Sequence, residues 1–146
     1  MREIKFRGYD EHYKIWVYGD LKLNEAGSQA IITPRKDGYL VPCSVDIATV
    51  GQFTGLKDIT DIDIYEGDIV DFFHEWHGIN GEYCSKEMRG VVACDGASFD
   101  VITLDDHGDE SFWELYTLWQ GGSVQVIGNV HDDPGLLKEG GGNNDR

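Results

Sequence analysis

Residues 52–70 read QFTGLKDITDIDIYEGDIV, and the fold turns on how this stretch is divided. Gly55 is free to adopt a left-handed backbone, so the polar run Thr54–Asp61 reads as a loop. Ile62, Ile64 and Tyr65 alternate with Asp61 and Asp63 as on a strand with one wet face. Glu66-Gly67-Asp68 is a tight turn, and Ile69–Phe73 is the strand that leaves it. A turn, a strand, a long connection and then Gly90-Val91-Val92 returning antiparallel is the opening of a small SH3-like barrel. The glycines permit its bends, and Val124–Val130 supplies a closing strand.

Toward the N-terminus the same β pattern continues. Ile4, Phe6 and Gly8 alternate with Lys5, Arg7 and Tyr9, and Asp10-Glu11-His12 breaks the run. Ile15–Tyr18 makes a second strand ended by Gly19-Asp20, Leu21 and Leu23 mark a third, and Ala30–Thr33 a fourth. Pro34-Arg35-Lys36-Asp37-Gly38 has turn chemistry, because proline presets φ and glycine accepts positive φ. Tyr39–Val41 and Ile47–Phe53 follow, with Pro42 between them signalling an edge or a bend.

Toward the C-terminus, His74–Lys86 is polar and glycine-containing and reads as a long hairpin loop. Gly90–Cys94 and Ser98–Leu104 flank the hairpin signal Asp95-Gly96. After the charged turn Asp105–Glu110, Phe112, Leu115, Tyr116 and Trp119 fall at the spacing of one helical face. Ser111 is placed to cap them, and Gly121-Gly122 to end them. Asp133-Pro134 starts a turn or helical end. The expected fold is mainly β, with a β-rich region over 1–60, the SH3-like barrel portion over 61–131 and one short helix. All of this lies in a single domain over 1–137, with a disordered tail over 138–146.

Composition agrees. The 146 residues are 40% hydrophobic and 12% aromatic, with 19 glycines and 3 prolines, enough for one core with many turns. Twenty-seven acidic against 12 basic residues give a net charge of −15, a field that repels phosphate backbones and anionic lipid. The cations group as Arg2, Lys5 and Arg7, as Arg35 and Lys36, and as Lys86 and Arg89, which reads first as solvated surface. No apolar run is long enough to span a bilayer, and MREIKFRGYD lacks the apolar middle of a signal peptide. Cys43, Cys84 and Cys94 form no CxxC pair, so three reduced thiols in a cytoplasmic protein are expected.

Motifs for chemistry fail in turn. His74-Glu75-Trp76-His77 falls one residue short of the HExxH spacing of zinc proteases; in an extended chain its two histidines point to opposite faces. Asp58, Asp61, Asp63, Glu66, Asp68 and Asp71 are a dense carboxylate run. Counted from Asp61, however, the glycine and bidentate glutamate positions of an EF-hand hold Glu66 and Phe72. Asp105/Asp106 and Asp109/Glu110 sit in a turn, with nothing to fix their separation. No catalytic, cofactor-binding or metal-ligating residues and no cofactor are therefore assigned.

Three blocks, REIKFRGYD near the start, QFTGLKD with IYEGDIV in the centre and VIGNVHDDPGLL near the end, resemble the YopX family of bacteriophage and prophage proteins. The resemblance covers the chain nearly end to end. It departs after Lys57-Asp58, where Ile59-Thr60-Asp61 replaces a glycine-containing turn. It implies an all-β fold with an SH3-like portion, a phage or prophage source, cytoplasmic location in the host bacterium and the capacity to form homo-oligomers, and it supplies no catalytic residues. The expected function is that of a non-enzymatic accessory protein working through protein contacts, with itself or with a host or phage protein. The alternatives are an acidic nucleic-acid mimic occupying a basic groove on a host protein, and an enzyme built on convergence of His74, His77 and a carboxylate.

Overall fold

The computed structural model describes residues 3–35 and 41–138. The turn expected at 34–38, most of the strand over 39–41 and the tail after 138 lie outside them. Ten strands and two short helices follow in chain order: β1 (Phe6–Asp10), β2 (Ile15–Leu23), β3 (Ala30–Thr33), β4 (Cys43–Lys57), β5 (Asp63–Tyr65), β6 (Asp68–His77), β7 (Tyr83–Asp95), β8 (Ser98–Leu104), β9 (Glu110–Glu114), α1 (Leu115–Gln120), β10 (Gln125–Asn129) and α2 (Gly135–Lys138). They form two antiparallel five-stranded sheets, in the orders β1-β2-β3-β4-β5, with β1 also beside β4, and β10-β6-β7-β8-β9. These pairings define a mainly β fold and do not by themselves define an SH3-like barrel.

The chain divides into two compact units, 1–55 and 56–146. In the first, Val17, Ala30, Ile32 and Val45 form the core, with Phe6, Leu21, Cys43 and Val50 against them. Strand β2 runs unbroken through Gly19-Asp20, where two strands were expected. Gly19 lies directly against β3, and a Cβ there would meet the Thr33 carbonyl oxygen at 2.1 Å. The glycine thus marks a close backbone approach and not a turn. Along β4 the pairing with β1 shifts, from Arg7↔Gly51 to Tyr9↔Asp46. Thr49 fills the irregularity, its Oγ1 accepting from Tyr9 N (2.8 Å) and donating to Asp46 O (2.6 Å).

In the second unit Ile64, Val70, Phe72, Val92, Phe99, Val101, Leu115 and Val124 form the core. The polar stretch beginning at Thr54 is not all loop. Strand β4 continues to Lys57, and Gly55, with φ +88°, takes the left-handed conformation anticipated for it while remaining inside the strand. Gly67, with φ +93°, makes the expected turn into β6. Strand β8 spans the expected residues.

The helix is shorter than the periodicity suggests. Ser111 and Phe112 belong to β9, paired with Thr103 and Ile102, and Glu114 stands at the N-cap. A periodic set of four aromatic and aliphatic residues cannot distinguish a helix from a strand that runs straight into one. The polar ending at Asp133-Pro134 leads into α2, so the described residues hold two helices and not the single one expected.

Candidate interaction surface

The largest departure from the sequence reading is at His74–Lys86. Strand β6 extends to His77 and β7 begins at Tyr83, paired in unbroken register through His74↔Lys86, Glu75↔Ser85, Trp76↔Cys84 and His77↔Tyr83. Only 78–82 turns the chain, closed by Gly78 N to Glu82 O (2.8 Å) and Gly81 N to Gly78 O (2.9 Å), with Gly81 at φ +80°. The other strands leave this ribbon early. Pairing of β10 with β6 reaches Asp71, and that of β8 with β7 reaches Val91. Beyond those points β6 and β7 pair only with each other, as a two-stranded arm. From His74 to Lys86 none of its residues belongs to the core, so hydrophobic alternation could not reveal it; cross-strand pairs hold it instead.

One face of the arm is an aromatic row. Val70 and Phe72 are buried, and the same face continues to His74 and then Trp76, which is 41% exposed. The Trp113 ring, from β9, meets Phe72 edge-on at 5.4 Å and His74 at 4.7 Å, and His74 stacks on Trp76 at 5.0 Å. Trp113 is itself fixed by its Nε1 donating to Thr103 Oγ1 at 3.0 Å. Such edge and offset contacts rigidify the row at little entropic cost.

The opposite face carries Phe73, half exposed, and Tyr83, 63% exposed. The Tyr83 hydroxyl donates to Glu75 Oε2 at 2.5 Å, and this bond, with burial and the Glu75 charge, pushes its pKa above the ordinary range. Ile79, at the tip, is fully exposed. Rigid, solvent-facing aromatics on a protruding ribbon are the side chains that supply contact area in protein recognition.

His74 and His77 fall on opposite faces of β6, the outcome expected for an extended segment. His74 packs among tryptophans, and His77 meets Tyr83 edge-on at 6.3 Å. Among the described residues no three His, Cys, Asp or Glu side chains are grouped to hold a metal ion.

The carboxylate run is spent on architecture. Asp58, only 6% exposed, accepts at Oδ1 from Thr60 N (2.8 Å), Thr60 Oγ1 (2.8 Å) and Ile62 N (3.0 Å), and at Oδ2 from Val126 N (2.8 Å). Burial is the largest single influence and raises its pKa, but these bonds together outweigh it and hold the carboxyl below its ordinary value. Asp68 accepts from Tyr65 N at 2.7 Å, and Asp63 pairs with Lys57 at 2.8 Å. Asp61, with φ +70°, lies in the turn before β5, at the end of the polar run Thr54–Asp61 read as loop.

The basic groups are similarly engaged. Arg89 grips Asp71 through Nε to Oδ1 (2.7 Å) and Nη2 to Oδ2 (3.1 Å), and its Nη1 reaches the Leu136 carbonyl (3.2 Å). Lys5 lies over the Phe53 ring and Arg7 over Trp16, while Arg35 is held by Asp20 and Glu3. These cations are tied into the structure and do not form a phosphate-binding stripe.

A cleft of about 830 Å³ in the first unit is lined by Asp10, His12, Tyr13, Asp46 and their neighbours. Asp10 points its Oδ1 at the backbone of its own turn, accepting from His12 N (2.9 Å) and Tyr13 N (3.1 Å). Among the described residues no helix is long and apolar enough to cross a membrane. The three cysteines are free thiols, Cys43 and Cys84 half-buried and Cys94 exposed.

Two antiparallel sheets joined by short turns, with an aromatic arm on the second, define the molecule as a mainly β protein with a surface-displayed ribbon. The family model described as YopX protein matches residues 5–138, and the chain belongs to the YopX protein family. Nothing among curated proteins matches it. Among solved structures, the crystal structure of protein EF1440 from Enterococcus faecalis is similar in fold, with a TM-score of 0.53 and 20% identity over 94% of this chain and 99% of that one.

Proposed function

We propose that this chain is a phage or prophage accessory protein that acts without catalysis, by binding another protein through the β6–β7 arm. The observation that carries this reading is the arm itself: Phe73, Trp76, Ile79 and Tyr83 are all exposed on a ribbon that projects beyond its sheet. Family membership supports the setting, and the cytoplasm of the host bacterium is the compartment proposed. The SH3-like portion over 61–131 belongs to the same reading, supported by the tight Gly67 turn and by the close approach of Gly90 to β8, where a Cβ would lie 2.5 Å from the Ile102 carbonyl oxygen.

The nucleic-acid mimic is the weaker alternative. A mimic presents its carboxylates to a partner, whereas Asp10, Asp58, Asp68, Asp71 and Asp105 accept bonds from this chain's own backbone or from Arg89. The test is affinity capture from infected cells with wild type and with Trp76→Ala/Tyr83→Ala. Loss of the captured protein in the double variant supports the arm. Retention of a nucleic-acid-binding protein by the variant supports mimicry instead.

A further inference from the structure

The outer edge of β7 from Tyr83 to Arg89 has no strand beside it among the described residues, because β8 stops pairing at Val91. Outward backbone groups alternate along an antiparallel ribbon. Phe73 N donates away from β7, to Ser123 Oγ at 3.1 Å, so on β6 the odd-numbered residues face outward. By the register Phe73↔Glu87 and Glu75↔Ser85, the outward groups of β7 are those of Tyr83, Ser85, Glu87 and Arg89. An exposed row of this kind is a template for another strand.

The charge around it is one-sided. Across 71–89 the carboxylates Asp71, Glu75, Glu82 and Glu87 face Lys86 and Arg89, and Arg89 is paired with Asp71. The strand that fills the rest of this edge, β8, runs directly into Asp105-Asp106-His107-Gly108-Asp109-Glu110, all exposed. A second copy of this chain would bring another charge of −15 to the same edge and be repelled, whereas a cationic segment would be drawn in. Resting on the interaction reading above, we propose that the β7 edge from Tyr83 to Glu87 binds an extended, basic segment of a partner protein by strand addition. The added strand lies in line with β8, with its cations toward Glu87 and the acidic β8–β9 turn.

The experiment uses the full chain with two synthetic octapeptides, alternating lysine–valine and alternating glutamate–valine, followed by amide hydrogen exchange at single residues. The lysine–valine peptide is expected to slow exchange at Ser85 and Glu87 by about tenfold or more, an effect lost with added salt and absent with the glutamate–valine peptide. Ser85→Pro removes an outward N–H, which an edge strand tolerates, and is expected to abolish the protection. Glu87→Lys leaves every backbone bond in place and is expected to weaken it, so the result stands even where the proline variant folds poorly. Protection elsewhere, protection equal with both peptides, or slowing that follows protein concentration without peptide overturns the proposal. Loss of a captured partner in Trp76→Ala/Tyr83→Ala but not in Ser85→Pro or Glu87→Lys overturns strand addition alone and leaves the interaction reading in place.

Discussion

At Asp58 a single carboxylate holds four donors contributed by Thr60, Ile62 and Val126, which ties the turn before β5 to β10. Charge-assisted bonds to a buried carboxylate are worth more than neutral ones. Asp58→Ala is expected to cost about 3 kcal/mol, measured by urea unfolding at pH 7. Because the folded-state pKa lies below the ordinary 3.8, this stabilisation is complete above that value and disappears as pH falls through the folded-state pKa; the gap between variant and wild type should narrow in acid.

Asp100 carries the opposite sign. Burial first, then Asp95 and Glu114, push its carboxyl above 3.8. Ionising it therefore penalises the fold, with no penalty below the ordinary value and the full penalty above the raised one. Asp100→Asn is expected to be more stable than wild type at pH 7 and equal to it below pH 3.8, by the same unfolding measurement.

Among the elements, glycines separate two kinds of constraint. Gly90 lies under β8, where a Cβ would come within 2.5 Å of the Ile102 carbonyl oxygen and 2.7 Å of Val101 Cγ1. Gly96 has φ +64° with open space around it. Gly90→Ala is expected to cost about 2–3 kcal/mol through overpacking, and Gly96→Ala about 1 kcal/mol through backbone strain alone. Thermal unfolding of the two variants checks the order.

The legibility of the elements followed the same physics. Strand β8 and the Asp95-Gly96 and Glu66-Gly67-Asp68 turns were readable because alternation and φ-permissive residues are local signals. Gly19 was misread because glycine at a close strand approach looks in sequence like glycine in a turn. The arm from His74 to Lys86 was invisible because a ribbon outside the core has no hydrophobic period. With it went the candidate surface, since Trp76 and Tyr83 read as loop residues and Trp113 as part of the helix. The carboxylate run was conspicuous, but its use in turns depends on partners as distant as Val126.

On the scale of the whole molecule, the charge of −15 and the aromatic arm are the features on which the proposed basic partner rests. On the proposed reading, binding is expected to weaken as salt rises through the range where the Debye length falls below about 8 Å, because the partner's cations would lie against Glu87 and the acidic β8–β9 turn. Replacing Trp76 and Tyr83 removes exposed surface and leaves both cores intact, so the double variant should unfold within about 1 kcal/mol of wild type.

The most direct measurement compares the two proteins as bait in infected cells, with each first shown to be folded by circular dichroism. Wild type should retain a specific protein that Trp76→Ala/Tyr83→Ala does not. Equal recovery by both, or a wild type that retains nothing while remaining a monomer by light scattering, would contradict a binding role for the arm.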